Sequence, residues 1–164
     1  MRRTTQERVN VHSHPRPAST GSLNVAAGWT GVAIGLSAAL WIGLWAFAGP
    51  FEAPAGFEHY DALPRRLLRL AHIAAVMIGV LNVLLGRELP RLDLPRAWKR
   101  AASALALFAW PGISVVLAVA AFVPVAKYAL PPGALSLTAA AAIAAAGAWR
   151  ARRRSLLLED SDHA

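Results

Sequence analysis

Four long stretches without a charged residue constrain the fold of this chain more than any other feature. They contain 35, 17, 26 and 22 residues and lie between Arg16 and Glu52, Arg69 and Arg87, Arg100 and Lys127, and Lys127 and Arg150. A helix needs about 20 apolar residues to cross roughly 30 Å of hydrocarbon. Only 16% of the residues are charged and 56% are hydrophobic, whereas about a quarter of a soluble domain is charged. We therefore expect an all-α integral membrane protein with four transmembrane helices in a compact bundle.

The apolar runs predict spans at about 25–48, 67–85, 101–122 and 133–149, which together form one transmembrane domain over 23–150. Segment 1–22 is polar and basic and lacks apolar periodicity, so we expect a disordered tail there. Segment 151–164 is expected to be a second, short tail. Alanine dominates the fourth run and contributes little apolar area, so insertion of that span is expected to depend on packing against the others.

The distribution of lysine and arginine predicts the orientation of the spans. Four of these cations lie in the N-terminal tail, five lie between Arg87 and Arg100 and four lie between Arg150 and Arg154, against three at the start of the second span and one at Lys127. Cytoplasmic loops carry the excess of such cations. Both termini are therefore expected on the cytoplasmic side of a bacterial inner membrane.

Composition also excludes several classes of chemistry. The chain has no cysteine, which excludes disulfides, thiolate metal sites and a cysteine nucleophile. It has no P-loop, G-x-S-x-G or HExxH pattern, so hydrolytic chemistry lacks the residues it needs. The net charge of +8 is carried by residues that flank the spans, so anionic lipid headgroups rather than nucleic acid are the expected partners.

Small residues on the first two spans predict close helix packing. On the first span they recur every fourth position, at Ala27, Gly31, Gly35, Ala39 and Gly43. This arrangement includes a GxxxG pair, which lets helix backbones approach closely in a membrane. The row is expected to face either a sister helix or a neighbouring chain.

On the second span, Gly79 and Asn82 lie on a small and polar face that should turn inward. On the third span, Pro111 predicts a helix kink.

His72 is the ionisable side chain that lies deepest in an apolar run, and such residues are candidates for function. It could serve as an axial haem ligand or as a proton-relay group, with His59 of the preceding loop as the available partner on the same side. A buried bis-histidine haem would need a second histidine on another span, and the predicted spans hold none. The simpler hypothesis is a neutral histidine bonded to a neighbouring backbone or serine, and we favour it.

The function predicted from these features is that of a non-catalytic assembly or interaction component of a larger membrane system, without a cofactor. Its expected partners are other membrane-protein subunits or further copies of the chain. The first alternative is a haem-binding or redox accessory subunit that uses His72. The second is a small transporter, which four short helices could form only as an oligomer, and the charged midplane residues typical of proton coupling are missing.

Overall fold

The computed structural model describes residues 21–46 and 49–161. The described chain forms α1 (Ser22–Gly43), α2 (Leu63–Glu88), α3 (Arg96–Ala120), a short 3₁₀ helix (Pro124–Ala129) and α4 (Leu130–Ser161). No strand occurs within those two ranges. Four helical segments are long and apolar enough to cross a membrane, which confirms the four predicted spans at the level of helices. The predicted tail 1–22 lies almost entirely outside the described residues.

The helices begin and end at different residues than the apolar runs predict. α1 ends at Gly43 rather than near residue 48, and a hydrogen bond of 3.0 Å from the Phe51 N–H to the Leu44 carbonyl turns the chain back. α4 continues to Ser161 through the arginines that were expected to lie in a tail. Arginine favours helix formation, so the charge run that ends the predicted span does not also end the helix.

α1 and α2 are antiparallel, and their backbones come into direct contact through glycines. Gly21, directly before α1, lies against Gly86 of α2, and Gly28 of α1 lies against Gly79 of α2. The two contacts are seven residues apart along each segment. A Cβ atom added to Gly28 would lie 2.6 Å from the Gly79 carbonyl oxygen, and one added to Gly86 would lie 2.6 Å from that of Gly21. Any side chain at these positions would push the helices apart.

The buried stripe of α1 repeats every seven residues, unlike the predicted row of small residues. Its members are Asn24, Gly28, Gly31, Gly35 and Ile42. A row spaced by four residues turns about 40° around the helix at each step, whereas a spacing of three and four in alternation drifts much less. The predicted row and the observed stripe therefore share only Gly31 and Gly35. Ala39 is half-buried and Gly43 is exposed, and a Cβ added to Gly43 would meet nothing within 4 Å.

α3 lies between α2 and α4, and Trp110 of α3 connects it to the first two helices. The Trp110 Nε1–H donates to the Ala75 carbonyl of α2 at 2.9 Å. A Cβ added to Gly31 of α1 would lie 2.3 Å from the indole nitrogen, so the ring rests on that glycine. α3 continues as a helix through Pro111. The helix kink expected at this proline stays a prediction.

α4 packs against α3 and makes few contacts with α1 or α2. Gly133 of α4 lies against Gly112 of α3, since a Cβ on Gly133 would lie 2.6 Å from the Gly112 carbonyl carbon. An apolar groove of about 320 Å³ separates α4 from α2, with Ala106 of α3 among its lining residues. The four helices form a bundle in which α1 packs chiefly against α2, α3 packs against both α2 and α4, and α4 packs chiefly against α3. The alanine side chains of α4 are too short to fill the groove toward α2.

The paired glycines lead to a test of the α1–α2 contact. We expect Gly28→Leu to lower the stability of the protein by about 1 to 3 kcal/mol, since the new side chain overlaps the α2 backbone. Gly43→Leu adds the same side chain at an exposed position of the same helix and should change stability by less than about 0.5 kcal/mol. Thermal unfolding in detergent measures both variants. Equal melting temperatures for the two would contradict the packing described.

Candidate functional site

A cluster of polar side chains joins α1, α2 and α3 inside the apolar part of the protein. Asn24 is fully buried and Asn82 is 2% exposed. The Asn24 Nδ2 donates to the Asn82 Oδ1 at 3.0 Å and to the Ser103 carbonyl at 3.2 Å. The Ser103 Oγ–H donates to the Asn24 Oδ1. The Asn82 Nδ2 donates to two further carbonyls, those of Ile78 and Ala106, both at 3.0 Å.

Every polar side-chain atom of Asn24 and Asn82 is thus bonded within the protein. Unpaired amides in hydrocarbon cost several kcal/mol, so this arrangement stabilises one relative position of three helices. It leaves no side-chain donor or acceptor of the two amides directed at a ligand. The sequence indicated that Asn82 faces inward, but it placed Asn24 outside the first span, next to the polar tail. Asn24 and Ser103 are therefore residues that sequence reasoning missed.

His72, the candidate ligand, lies half-buried on α2. Its Nδ1 is 3.3 Å from the Leu68 carbonyl oxygen, one turn back on the same helix. His72 lines a cavity of about 100 Å³ between α1, α2 and α3, together with Trp110 and Ser114. Ser114 is 5% exposed, and its Oγ has no hydrogen-bond partner. The cavity is almost entirely apolar apart from these side chains.

The surroundings of His72 do not fit a haem. Sites for small-molecule ligands and cofactors enclose about 300 Å³ or more, three times the volume beside His72. His59, the expected partner, is exposed on the α1–α2 loop and does not line the cavity. Within the described ranges, no three His, Asp or Glu side chains are grouped as metal ligands. The contact between His72 Nδ1 and the Leu68 carbonyl is the kind of backbone bond that the simpler hypothesis predicts.

A second polar site lies where the α1–α2 loop covers the start of α2. We call it the arginine–aromatic cluster, and it consists of Trp45, Phe57, Tyr60, Arg65 and Arg69. The Arg65 Cζ lies 5.7 Å from the Trp45 ring centroid and 5.4 Å from that of Tyr60. The Arg69 Cζ lies 4.0 Å from the Tyr60 centroid. The Trp45 and Phe57 rings meet edge to face, with centroids 5.7 Å apart.

Hydrogen bonding in this cluster is incomplete. The Arg65 Nη1 donates to the carbonyls of Phe57 at 3.5 Å and Glu58 at 3.3 Å. The Arg69 Nη1 and the Trp45 Nε1 are buried and have no hydrogen-bond partner. The nearby Glu58 carboxylate instead accepts the Gly56 N–H at 3.0 Å. Backbone N–H groups of Glu58 and Gly56 lower the pKa of the Glu58 carboxyl, against a small opposing effect of desolvation.

The outward face of α4 differs from the outward faces of the other helices. It carries exposed small residues at alternating spacings of four and three, namely Ala134, Thr138, Ala141, Ala145 and Ala148. We call this stripe the α4 face. No large exposed hydrophobic side chain occurs on α4 between Leu135 and Trp149. The exposed surfaces of α1, α2 and α3 include large apolar side chains such as Leu40, Met77 and Phe108, and α1 exposes these beside a row of small residues at Ala26, Thr30, Ala33 and Ser37.

No protein-family model matches the chain, and comparisons with curated proteins and with solved structures find no match. The functional argument therefore proceeds from the geometry of these sites.

The position of His72 leads to a test that separates a structural histidine from a ligand. We expect His72→Gln to fold with stability within about 1 kcal/mol of the parent, because glutamine keeps a donor and an acceptor in a similar volume. The purified parent should show no Soret absorption. A folded variant that loses a Soret band or a cellular phenotype would contradict the structural role, because an amide neither titrates near neutrality nor binds iron well.

Proposed function

We propose that the chain is a non-catalytic interaction component of a membrane assembly, in which the α4 face binds a transmembrane helix of a different protein. The observation that carries this proposal is the contrast between α4 and the rest of the molecule. α4 packs chiefly against α3, and between Leu135 and Trp149 its exposed side chains are all small, whereas the exposed surfaces of the other helices include large apolar side chains.

Membrane physics explains why a small-residue face favours a protein partner. Lipid tails are as apolar as leucine, so helices in a bilayer associate through close van der Waals contact rather than through the hydrophobic effect. Alanine at heptad-like spacing permits that contact, since it keeps neighbouring backbones near one another. The same chain uses the principle internally, where Gly28 of α1 meets Gly79 of α2. The α4 face offers a comparable surface that none of the described helices covers.

Charge at the end of α4 favours a different protein over a second copy. Arg150, Arg152, Arg153 and Arg154 are all exposed on the last turns of the helix. Two copies inserted in the same direction would bring these arginines together if they met through their α4 faces, and like charges in close contact are unfavourable. A helix followed by acidic residues at that end would complement them. The proposed partner is therefore a membrane span with small residues and with acidic residues level with these arginines. Glu159 and Asp160 of a second copy would not meet this condition, because they follow Arg154 by five and six residues.

The remaining sites support a role without catalysis. The Asn24 and Asn82 amides bond to each other and to neighbouring groups, and the cavity beside His72 holds about 100 Å³. In the same proposal, the excess of lysine and arginine in the two terminal segments and the α2–α3 loop supports cytoplasmic termini in a bacterial inner membrane.

Photo-crosslinking in intact cells tests the proposal. A benzoylphenylalanine at position 145 lies on the α4 face, and one at position 40 lies on α1, where Leu40 is 76% exposed. We expect position 145 alone to give a discrete adduct, in which mass spectrometry identifies a membrane-spanning protein with acidic residues beside its span. Ala141→Leu should abolish the adduct because it adds bulk to the face, and Arg152→Glu should weaken it.

Ala33→Leu is the matched control, since Ala33 is exposed on α1 and the change adds the same bulk away from the α4 face. It should leave the adduct intact. An adduct of twice the mass of the chain would identify a second copy and overturn the choice of partner. The same adducts from positions 40 and 145, or an adduct that survives Ala141→Leu, would overturn the proposed binding surface.

A further inference from the structure

We propose that the arginine–aromatic cluster binds a phosphate group, that of an anionic lipid whose headgroup lies against the start of α2. This inference does not depend on the proposed role of α4, because it concerns a different helix and a different end of the molecule. It rests on unpaired positive charge, on buried donors without acceptors, and on the place of both arginines along α2.

The two guanidinium groups have far more donors than the protein uses. Each guanidinium carries five N–H donors. Arg65 is only 7% exposed, and its hydrogen bonds run from Nη1 to two backbone carbonyls. The Arg69 Nη1 is buried with no acceptor. A buried cation without a counter-ion is strongly destabilising, and the aromatic contacts of Tyr60 and Trp45 compensate for only part of that cost.

No acidic side chain of the described chain supplies the missing anion. Within the described ranges, no carboxylate oxygen lies within 4 Å of Arg65 or Arg69, and the ion pairs found there involve Arg91 and Arg154. Glu58 is close in sequence, but its carboxylate accepts the Gly56 N–H and only its backbone carbonyl reaches Arg65. Since no carboxylate of the described residues balances the cluster, we assign that role to an anion bound from outside the protein.

Geometry and position indicate which anion fits. Arg65 and Arg69 are one turn apart on the same helix, about 6 Å along its axis. A planar guanidinium binds phosphate oxygens in a bidentate manner, and the unpartnered Trp45 Nε1–H adds a second type of donor to the two guanidinium groups of the cluster. Both arginines lie at the first turns of α2, where the polar loop meets the apolar run that follows Arg69. Lipid phosphates lie at this boundary of a membrane span.

Binding of added lipid to the purified full-length protein tests this site. Native mass spectrometry in detergent measures the retention of phosphatidylglycerol, with phosphatidylcholine as the zwitterionic comparison and inorganic phosphate as a competitor. We expect one tightly retained phosphatidylglycerol per chain. Arg69→Gln should weaken its binding about tenfold or more, because a charge-assisted pair is lost.

Arg66→Gln is the matched control, since Arg66 is exposed on the same helix turn and the change removes the same charge. It should retain the lipid with the affinity of the parent. Arg69→Lys keeps the charge without the planar fork, so it should fold even where Arg69→Gln does not, and it should still bind more weakly than the parent. Competition by millimolar inorganic phosphate would support the site and identify free phosphate as its ligand. Equal lipid binding by the Arg66 and Arg69 variants would overturn the proposal.

Discussion

The amide of Asn24 is the interaction on which the rest of the structure depends. It lies in an apolar environment, where an unpaired donor or acceptor is costly, and its partners come from α2 and α3. Only one relative position of the three helices satisfies all of these hydrogen bonds together. The cluster thereby specifies the alignment of three apolar helices, and the glycine contacts between α1 and α2 fit the same alignment.

That alignment explains both the close contact between α1 and α2 and the separate position of α4. With Asn24 bonded to Asn82, Gly28 meets Gly79 and Gly21 meets Gly86, so the backbones touch along several turns. α4 contributes no side chain to the polar cluster and packs against α3. The helices therefore pack largely in chain order, with α4 on the far side of α3. Between Leu135 and Trp149 the exposed side chains of α4 are small, whereas the exposed surfaces of α1, α2 and α3 include large apolar side chains.

Much of this architecture could be predicted from the sequence, and the exceptions have physical causes. Uncharged runs identify spans well because hydrocarbon excludes charge, and Asn82 was expected to face inward for the same reason. Asn24 is adjacent to the polar tail in the sequence. Its partner Ser103 is 79 residues away, and a single sequence does not show that the two side chains meet. The four-residue row that ends at Gly43 follows a plausible local pattern, but antiparallel packing selects a seven-residue repeat. Contacts of α4 depend on which helix it meets, and helical periodicity carries no such information.

The arginine–aromatic cluster could also be predicted only in part, because the sequence gives the position of each arginine along the helix but not its tertiary contacts. The sequence places Arg69 at a membrane boundary, where a long side chain can reach the headgroups. It does not reveal that Arg65 is buried beneath the α1–α2 loop or that Glu58 offers a backbone carbonyl instead of its carboxylate. These facts arise from the path of the loop. They turn two boundary cations into a site with unmet hydrogen-bonding capacity.

A double-mutant cycle on Asn24 and Asn82 tests the central claim most directly. Unfolding free energies are measured in detergent for Asn24→Ala, Asn82→Ala, the double variant and the parent. The account predicts a coupling energy between about 0.6 and about 1.7 kcal/mol, which are the average and the maximum measured for hydrogen bonds between membrane helices. Thr30 is exposed on α1 and bonds only to its own helix, so Thr30→Ala should be additive with Asn82→Ala. Full additivity of the two asparagine substitutions would contradict the claim that their contact aligns the helices.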